Sequence, residues 1–114
     1  MSVDLKIELD EVDGKAILRI QGRLDAASSP VLEKKVNQLI GNERKVLILD
    51  FSQVEYLSSA GMRLLLSTTK KLKERNGFLV IFSVGEESME IIKMAGFEHI
   101  LNICGTEREA LQFS

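Results

Sequence analysis

The N-terminal segment alternates, with Val3, Leu5, Ile7 and Leu9 apolar and Asp4, Lys6, Glu8 and Asp10 charged, which is the period of a strand with one wet face. Asp13-Gly14 then gives a strong turn signal, and Ala16, Leu18 and Ile20 resume the alternation. The first two strands are therefore predicted to form an antiparallel hairpin. Beyond Gly22-Arg23-Leu24-Asp25, the pair Ser29-Pro30 marks a helix start, because proline lacks only an amide hydrogen that is orphaned there anyway. Leu32, Val36, Leu39 and Ile40 share one face of that helix, and Gly41 offers a residue for a left-handed stop.

Lys45 to Phe51 is almost continuously apolar, as in a central strand covered on both faces. Ser52 to Ser59 reads as a loop, and from Ala60 the positions Met62, Leu65, Leu66, Thr69 and Leu72 return to helical spacing before Asn76-Gly77 ends the helix. Phe78 to Ser83 repeats the buried-strand pattern, Glu86 to Ala95 reads as a third helix closed by Gly96, and Ile100 to Ile103 is a short strand candidate. Thr106-Glu107-Arg108-Glu109 is a capping box that opens a brief C-terminal helix. The expected fold is α/β: a mixed sheet of four to five strands with a parallel core made by right-handed crossovers, packed against about four helices. No repeat or linker divides residues 1–114, so one domain is expected.

Composition narrows the chemistry. Fifteen Lys and Arg against 17 Asp and Glu give a net charge of −2, which provides no reason to seek a nucleic acid partner. A single histidine, His99, and a single cysteine, Cys104, leave no set of residues for a zinc cluster or an internal disulfide. No metal or cofactor is expected; His99 reads as structural or solvated, and Cys104 as a buried, unreactive thiol. The longest stretch free of Asp, Glu, Lys and Arg runs only from Asn76 to Gly85, well short of the roughly 18 residues of a membrane-spanning helix. Met1 to Lys6 does not read as a secretory signal, so the expected location is the cytoplasm, without membrane insertion.

Chemistry concentrates at one junction. In open α/β sheets, ligands and partners meet the protein where a strand's carboxyl end feeds a helix. Ser58 and Ser59 lie at such a place, where unpaired amides and the helix dipole favour negative charge. Either serine could serve simply as an N-cap. A phosphoryl group there would add about −1.5 to −2 charges without requiring backbone rearrangement.

Two segments carry a family resemblance: Gly22-Arg23-Leu24-Asp25, and Val46 to Gly61 with its Asp50-Phe51-Ser52 and Leu57-Ser58-Ser59-Ala60-Gly61. Together with the helix carrying Met89 and Ile92 that leads to Gly96-Phe97, they resemble bacterial anti-sigma factor antagonists, the STAS domain family. The resemblance implies a protein-binding module, not an enzyme. Its unmodified form would bind an anti-sigma factor with serine kinase activity and free a sigma factor for transcription, phosphorylation by that partner would release it, and a phosphatase would be a further partner. With Gly61 as the motif's glycine, the phosphate acceptor maps to Ser59. The family's acidic residue after the second strand maps to Asp25, as a group aiding the acceptor hydroxyl or orienting the partner's nucleotide site. The commonest motif, Asp-Ser-Ser/Thr-Gly, is altered here to Ser58-Ser59-Ala60-Gly61. Loss of the carboxylate beside Ser59 lessens repulsion of a new phosphate, and Ser58 is the second acceptor candidate. The partner-binding set is Asp25, Leu57, Ser58, Ser59, Ala60, Gly61 and Met62, with Leu57 and Met62 either core or apolar contacts beside Ser59. An alternative keeps the fold but makes the chain an accessory STAS subunit of a transporter or signalling assembly, without phospho-regulation.

Rival chemistries lack their residues. A nucleophile elbow needs Gly-x-Ser-x-Gly, but position 57 is Leu. No phosphate-cradling glycine motif occurs. Asp50 could be the acceptor of a response-regulator receiver, yet the first strand lacks the adjacent acidic pair that holds magnesium. Lys70, Lys71, Lys73, Glu74 and Arg75 are expected to form the wet face of the second helix.

Overall fold

Strands β1 (Leu5–Val12), β2 (Lys15–Leu24), β3 (Val46–Leu57), β4 (Phe78–Phe82) and β5 (Asn102–Cys104) lie side by side in chain order. The computed structural model describes residues 4–114, so Val3 falls outside the described residues. β1 is antiparallel to β2, and every other neighbouring pair is parallel. Helices α1 (Ser29–Gly41), α2 (Ser59–Glu74) and α3 (Glu86–Met94) make the crossovers, and α4 (Glu107–Gln112) follows β5. This is the mixed α/β sheet with a parallel core that the apolar patterning implies.

Alternation along the strands divides the interior in two. Ala16, Leu18 and Ile20 of β2, Leu47, Leu49 and Phe51 of β3, and Leu79 and Ile81 of β4 pack with Leu32 and Val36 of α1, Leu65 and Leu72 of α2, and Ile92 of α3. The intervening Ile17, Ile48, Val80 and Phe82 face the other way and meet Ala110 of α4. Burial on both faces is why these strands read as apolar runs, and each fully buried Leu or Ile contributes about 1.5–3 kcal/mol. Leu5 and Ile7 of the edge strand pack partly on the main core, whereas Leu9 stays 47% exposed.

Three boundaries differ from the sequence expectation. Ser52 to Leu57 is strand, not loop. This half of β3 pairs only with β2, matching Gln53 to Gln21, Val54 to Gly22, Tyr56 to Arg23 and Leu57 to Leu24 across two register shifts. Ser52, Gln53, Glu55 and Tyr56 are exposed, so no apolar period betrays the strand. Gly41 remains helical, and the left-handed turn falls on Glu43 (φ 63°). The stop expected at Asn76-Gly77 holds: Asn76 (φ 62°) turns the chain after α2, and Gly77 is needed because a Cβ there would overlap the Lys45 carbonyl. β5 starts at Asn102, two residues later than expected. Gly96 (φ 80°) does close α3.

Polar contacts seat α4. Thr106 Oγ1 accepts from the Glu109 amide (3.2 Å), and the Glu109 carboxylate accepts from the same hydroxyl (3.1 Å). Phe113 tilts against Phe78 with ring centroids 5.2 Å apart. Arg19 donates to Asp10 (2.6 Å), Asp50 (3.0 Å) and Glu107 (2.7 Å), tying β1, β2, β3 and α4 together. Those three carboxylates, Glu107 foremost, raise the Arg19 pKa further above its usual range. Burial pushes the Asp50 carboxyl up, but bonds from Ser52 and Arg19 outweigh it and hold the group below the usual carboxylate range. Asp50 is thereby committed to structure, not placed as an open phosphate acceptor.

Candidate functional site

The long pairing of β2 with the far half of β3 brings two loops together at one end of the sheet. The Ser58 amide donates to the Leu24 carbonyl at 2.9 Å, so the chain enters α2 directly beside the turn that begins at Asp25. Gly61 keeps this approach close. A Cβ at that position would lie 2.8 Å from Leu57 Cδ1 and 2.9 Å from both Leu24 Cγ and Leu24 O, inside normal contact. Leu57 (1% exposed) and Met62 (4%) are core residues, and Gly61 is buried. The contact reading of Leu57, Gly61 and Met62 is therefore replaced by a supporting one: they set where the surface lies but do not form it.

The two serines divide their tasks. Ser58 is the N-cap of α2, with its Oγ accepting from the Gly61 amide at 3.2 Å, an arrangement that satisfies one orphan donor of the first turn. Ser59 is the first helical residue and is exposed; Ala60 beside it is half-buried. No acidic residue occupies the first turn of α2, and Arg63 is exposed just beyond it. The helix dipole and the missing carboxylate both favour a dianionic group on Ser59.

Asp25 organises its own loop. Its Oδ1 accepts from the amides of Ser28 (3.0 Å) and Ala27 (3.1 Å). These bonds, the Ser28 amide foremost, hold the carboxyl below its ordinary range. Ser28, buried ahead of α1, accepts from the Asp25 amide (2.9 Å) and donates to the Arg23 carbonyl (2.6 Å) instead of capping its helix. The second carboxylate oxygen of Asp25 lies 3.8 Å from Arg23 Nε, and the carboxylate remains 35% exposed.

Arg23 and Tyr56 escape the sequence reading. The guanidinium carbon of Arg23 lies 4.3 Å from the Tyr56 ring centroid, a cation–π contact worth about 0.5–1 kcal/mol at an exposed site. The signal was in the residues: once β3 extends to Leu57, the register sets Arg23 opposite Tyr56. His99 projects into solvent, its side chain 91% exposed. Cys104 is half-buried, less enclosed than expected, with desolvation first and then Glu109 pushing its thiol pKa up. Among the described residues, no group of three or more His, Cys, Asp or Glu is placed to hold a metal ion, and no helix is long and apolar enough to cross a membrane.

Comparison with known proteins matches this architecture. An anti-sigma-B factor antagonist of Listeria monocytogenes is 26% identical over 108 residues, covering 94% of this chain and 95% of that protein. The crystal structure of an anti-sigma factor antagonist from Mycobacterium paratuberculosis aligns with a TM-score of 0.86 at 24% identity, over 95% of this chain and 92% of that one. Unphosphorylated SpoIIAA aligns at 0.79 with 19% identity, over 94% of each chain. The phosphorylated form of Bacillus SpoIIAA aligns at 0.73 with 19% identity, over 94% and 97% of the two chains. The family profile of the STAS domain matches residues 6–110, and the chain belongs to the STAS domain family.

Proposed function

We propose that this chain is an anti-sigma factor antagonist that switches partners through Ser59. In the unphosphorylated state it binds an anti-sigma factor with serine kinase activity and so releases a sigma factor for transcription. The partner kinase transfers the γ-phosphoryl group of ATP to Ser59: the Oγ–P bond forms, the bond to ADP breaks, and the hydroxyl proton leaves to solvent or a base on the kinase. The added charge sits where the complex had formed, and the antagonist dissociates. A phosphatase reverses the change. The chain is the substrate of this chemistry and performs no catalysis of its own, and it works in the cytoplasm with its partners.

One observation supports Ser59 over its neighbour. Ser58 Oγ is engaged by the Gly61 amide, whereas Ser59 stands exposed on the first turn. A kinase can reach Ser59 without breaking the helix cap. Asp25, Ser58 and Ala60 form the rest of the contact surface, and the Arg23–Tyr56 pair extends it, since Arg and Tyr are enriched at binding hot spots. The test is intact-mass analysis after incubation with the cognate anti-sigma factor and ATP. A single phosphate is expected on the parent and on Ser58→Ala, and none on Ser59→Ala. An unmodified parent under an active kinase would favour the constitutive accessory subunit instead.

A further inference from the structure

At the opposite end of the sheet from Ser59, a groove of about 460 Å³ opens between α2 and the first residues of β4 and β5. Leu66, Phe78 and Ile100 supply apolar walls, and Lys70 and Lys73 line it as well. Ile100 is 55% exposed, although it is a large aliphatic side chain. The groove's other polar side chains are already occupied. Thr69 Oγ1 donates to the Leu65 carbonyl at 2.8 Å, and Asn102 Nδ2 donates to the Leu79 carbonyl at 2.9 Å.

Charge gives the groove its character. No carboxylate lines it, and among the described residues neither Lys70 nor Lys73 takes part in an ion pair. This occurs in a chain whose net charge is −2. Lys70 and Lys73 are one turn apart on α2 and so lie on the same side of the helix. An apolar floor with two unpaired cations complements an apolar side chain flanked by carboxylates.

We propose that this groove docks an acidic segment of a partner protein, inserting one aliphatic or aromatic side chain against Leu66, Phe78 and Ile100 while its carboxylates meet Lys70 and Lys73. The groove is separate from the switch. Lys73 lies 14 positions along α2 from Ser59, which amounts to about 21 Å at 1.5 Å per residue, beyond the roughly 8 Å Debye length at physiological salt. A partner held here would leave Ser59 open to its kinase. The module could then be tethered in an assembly while it switches.

Titration of the full chain with the probe peptide acetyl-Glu-Glu-Leu-Phe-Glu-Glu-amide, followed by amide and methyl NMR shifts, tests the assignment. Saturable shifts are expected at Leu66, Lys70, Lys73, Ile100 and Asn102, with affinity falling as salt rises. The double variant Lys70→Glu/Lys73→Glu is expected to weaken binding by about tenfold or more, and Lys70→Arg/Lys73→Arg to retain it. Because both lysines are exposed, an unchanged thermal melt shows that the variants are folded. The inference is overturned if the groove shows no saturable shift, if the Glu variant binds the peptide equally well, or if octanoate or vesicles containing 30% anionic phospholipid shift these residues while the peptide does not. The phosphate on Ser59, read separately by mass, is expected to be the same in parent and Glu variant, so failure of this proposal is distinguishable from failure of the switch.

Discussion

Single positions at the junction trade freedom for closeness. At Gly61 the first carbon of any side chain would press on Leu57 and on both the side chain and carbonyl of Leu24, so Gly61→Ala must push β2 and β3 away from α2. Overpacking of this kind costs about 1–3 kcal/mol, and the expected result is a lower urea midpoint with an unchanged slope. An unaltered midpoint would show that the junction yields without strain. Asp25 gives a residue-scale prediction in pH. Its folded-state pKa is depressed by the amides of Ser28 and Ala27, so the stabilisation is present above the ordinary Asp pKa of about 3.9 and is lost as pH falls through the lower folded value. The stability gap between the parent and Asp25→Ala should therefore be open at neutral pH and narrow in acid. A gap that stays constant down to strongly acidic pH would mean that the carboxylate charge plays no part.

Elements differ in how plainly their residues announce them. The parallel core strands were legible because Leu47–Phe51 and Leu79–Phe82 are buried on both faces, and α2 because its apolar stripe ends at a clear stop. The far half of β3 was hidden because only β2 flanks it and its side chains are wet, which also concealed the Arg23–Tyr56 pair. One helix end misled: Gly41 stays helical, while a non-glycine residue, Glu43, adopts the left-handed turn. Serines at the start of α2 were legible as a pair, but only the hydrogen bond to Gly61 assigns one to capping. Removing that cap, in Ser58→Ala, should cost about 0.5–2 kcal/mol. Ser59→Ala should fall within about 0.5 kcal/mol of the parent, as exposed substitutions usually do. Chemical denaturation of the two variants checks the division, and equal losses would refute it.

On the scale of the whole molecule, Arg19 joins three strands to α4. Arg19→Met would leave the nearly enclosed carboxylate of Asp50, 12% exposed, with the Ser52 amide but without its cation. A loss of about 1–3 kcal/mol is expected, as for other buried acceptors deprived of a partner. Thermal unfolding measures it, and a neutral result would place the weight of α4 on Ala110 and Phe113 instead. Strand order has a further consequence, for synthesis. Because each strand lies beside the one made before it, every parallel pair can form as the chain emerges from the ribosome, at about 5–20 residues per second. The Asp25 turn and the start of α2 are complete when little more than half of the described chain is out. The sheet face of Ile17, Ile48, Val80 and Phe82, by contrast, stays bare until Ala110 arrives. A nascent chain therefore carries a finished Asp25–Ser59 junction and an unfinished hydrophobic face at the same time, and that face calls for chaperone protection until α4 has cleared the ribosome.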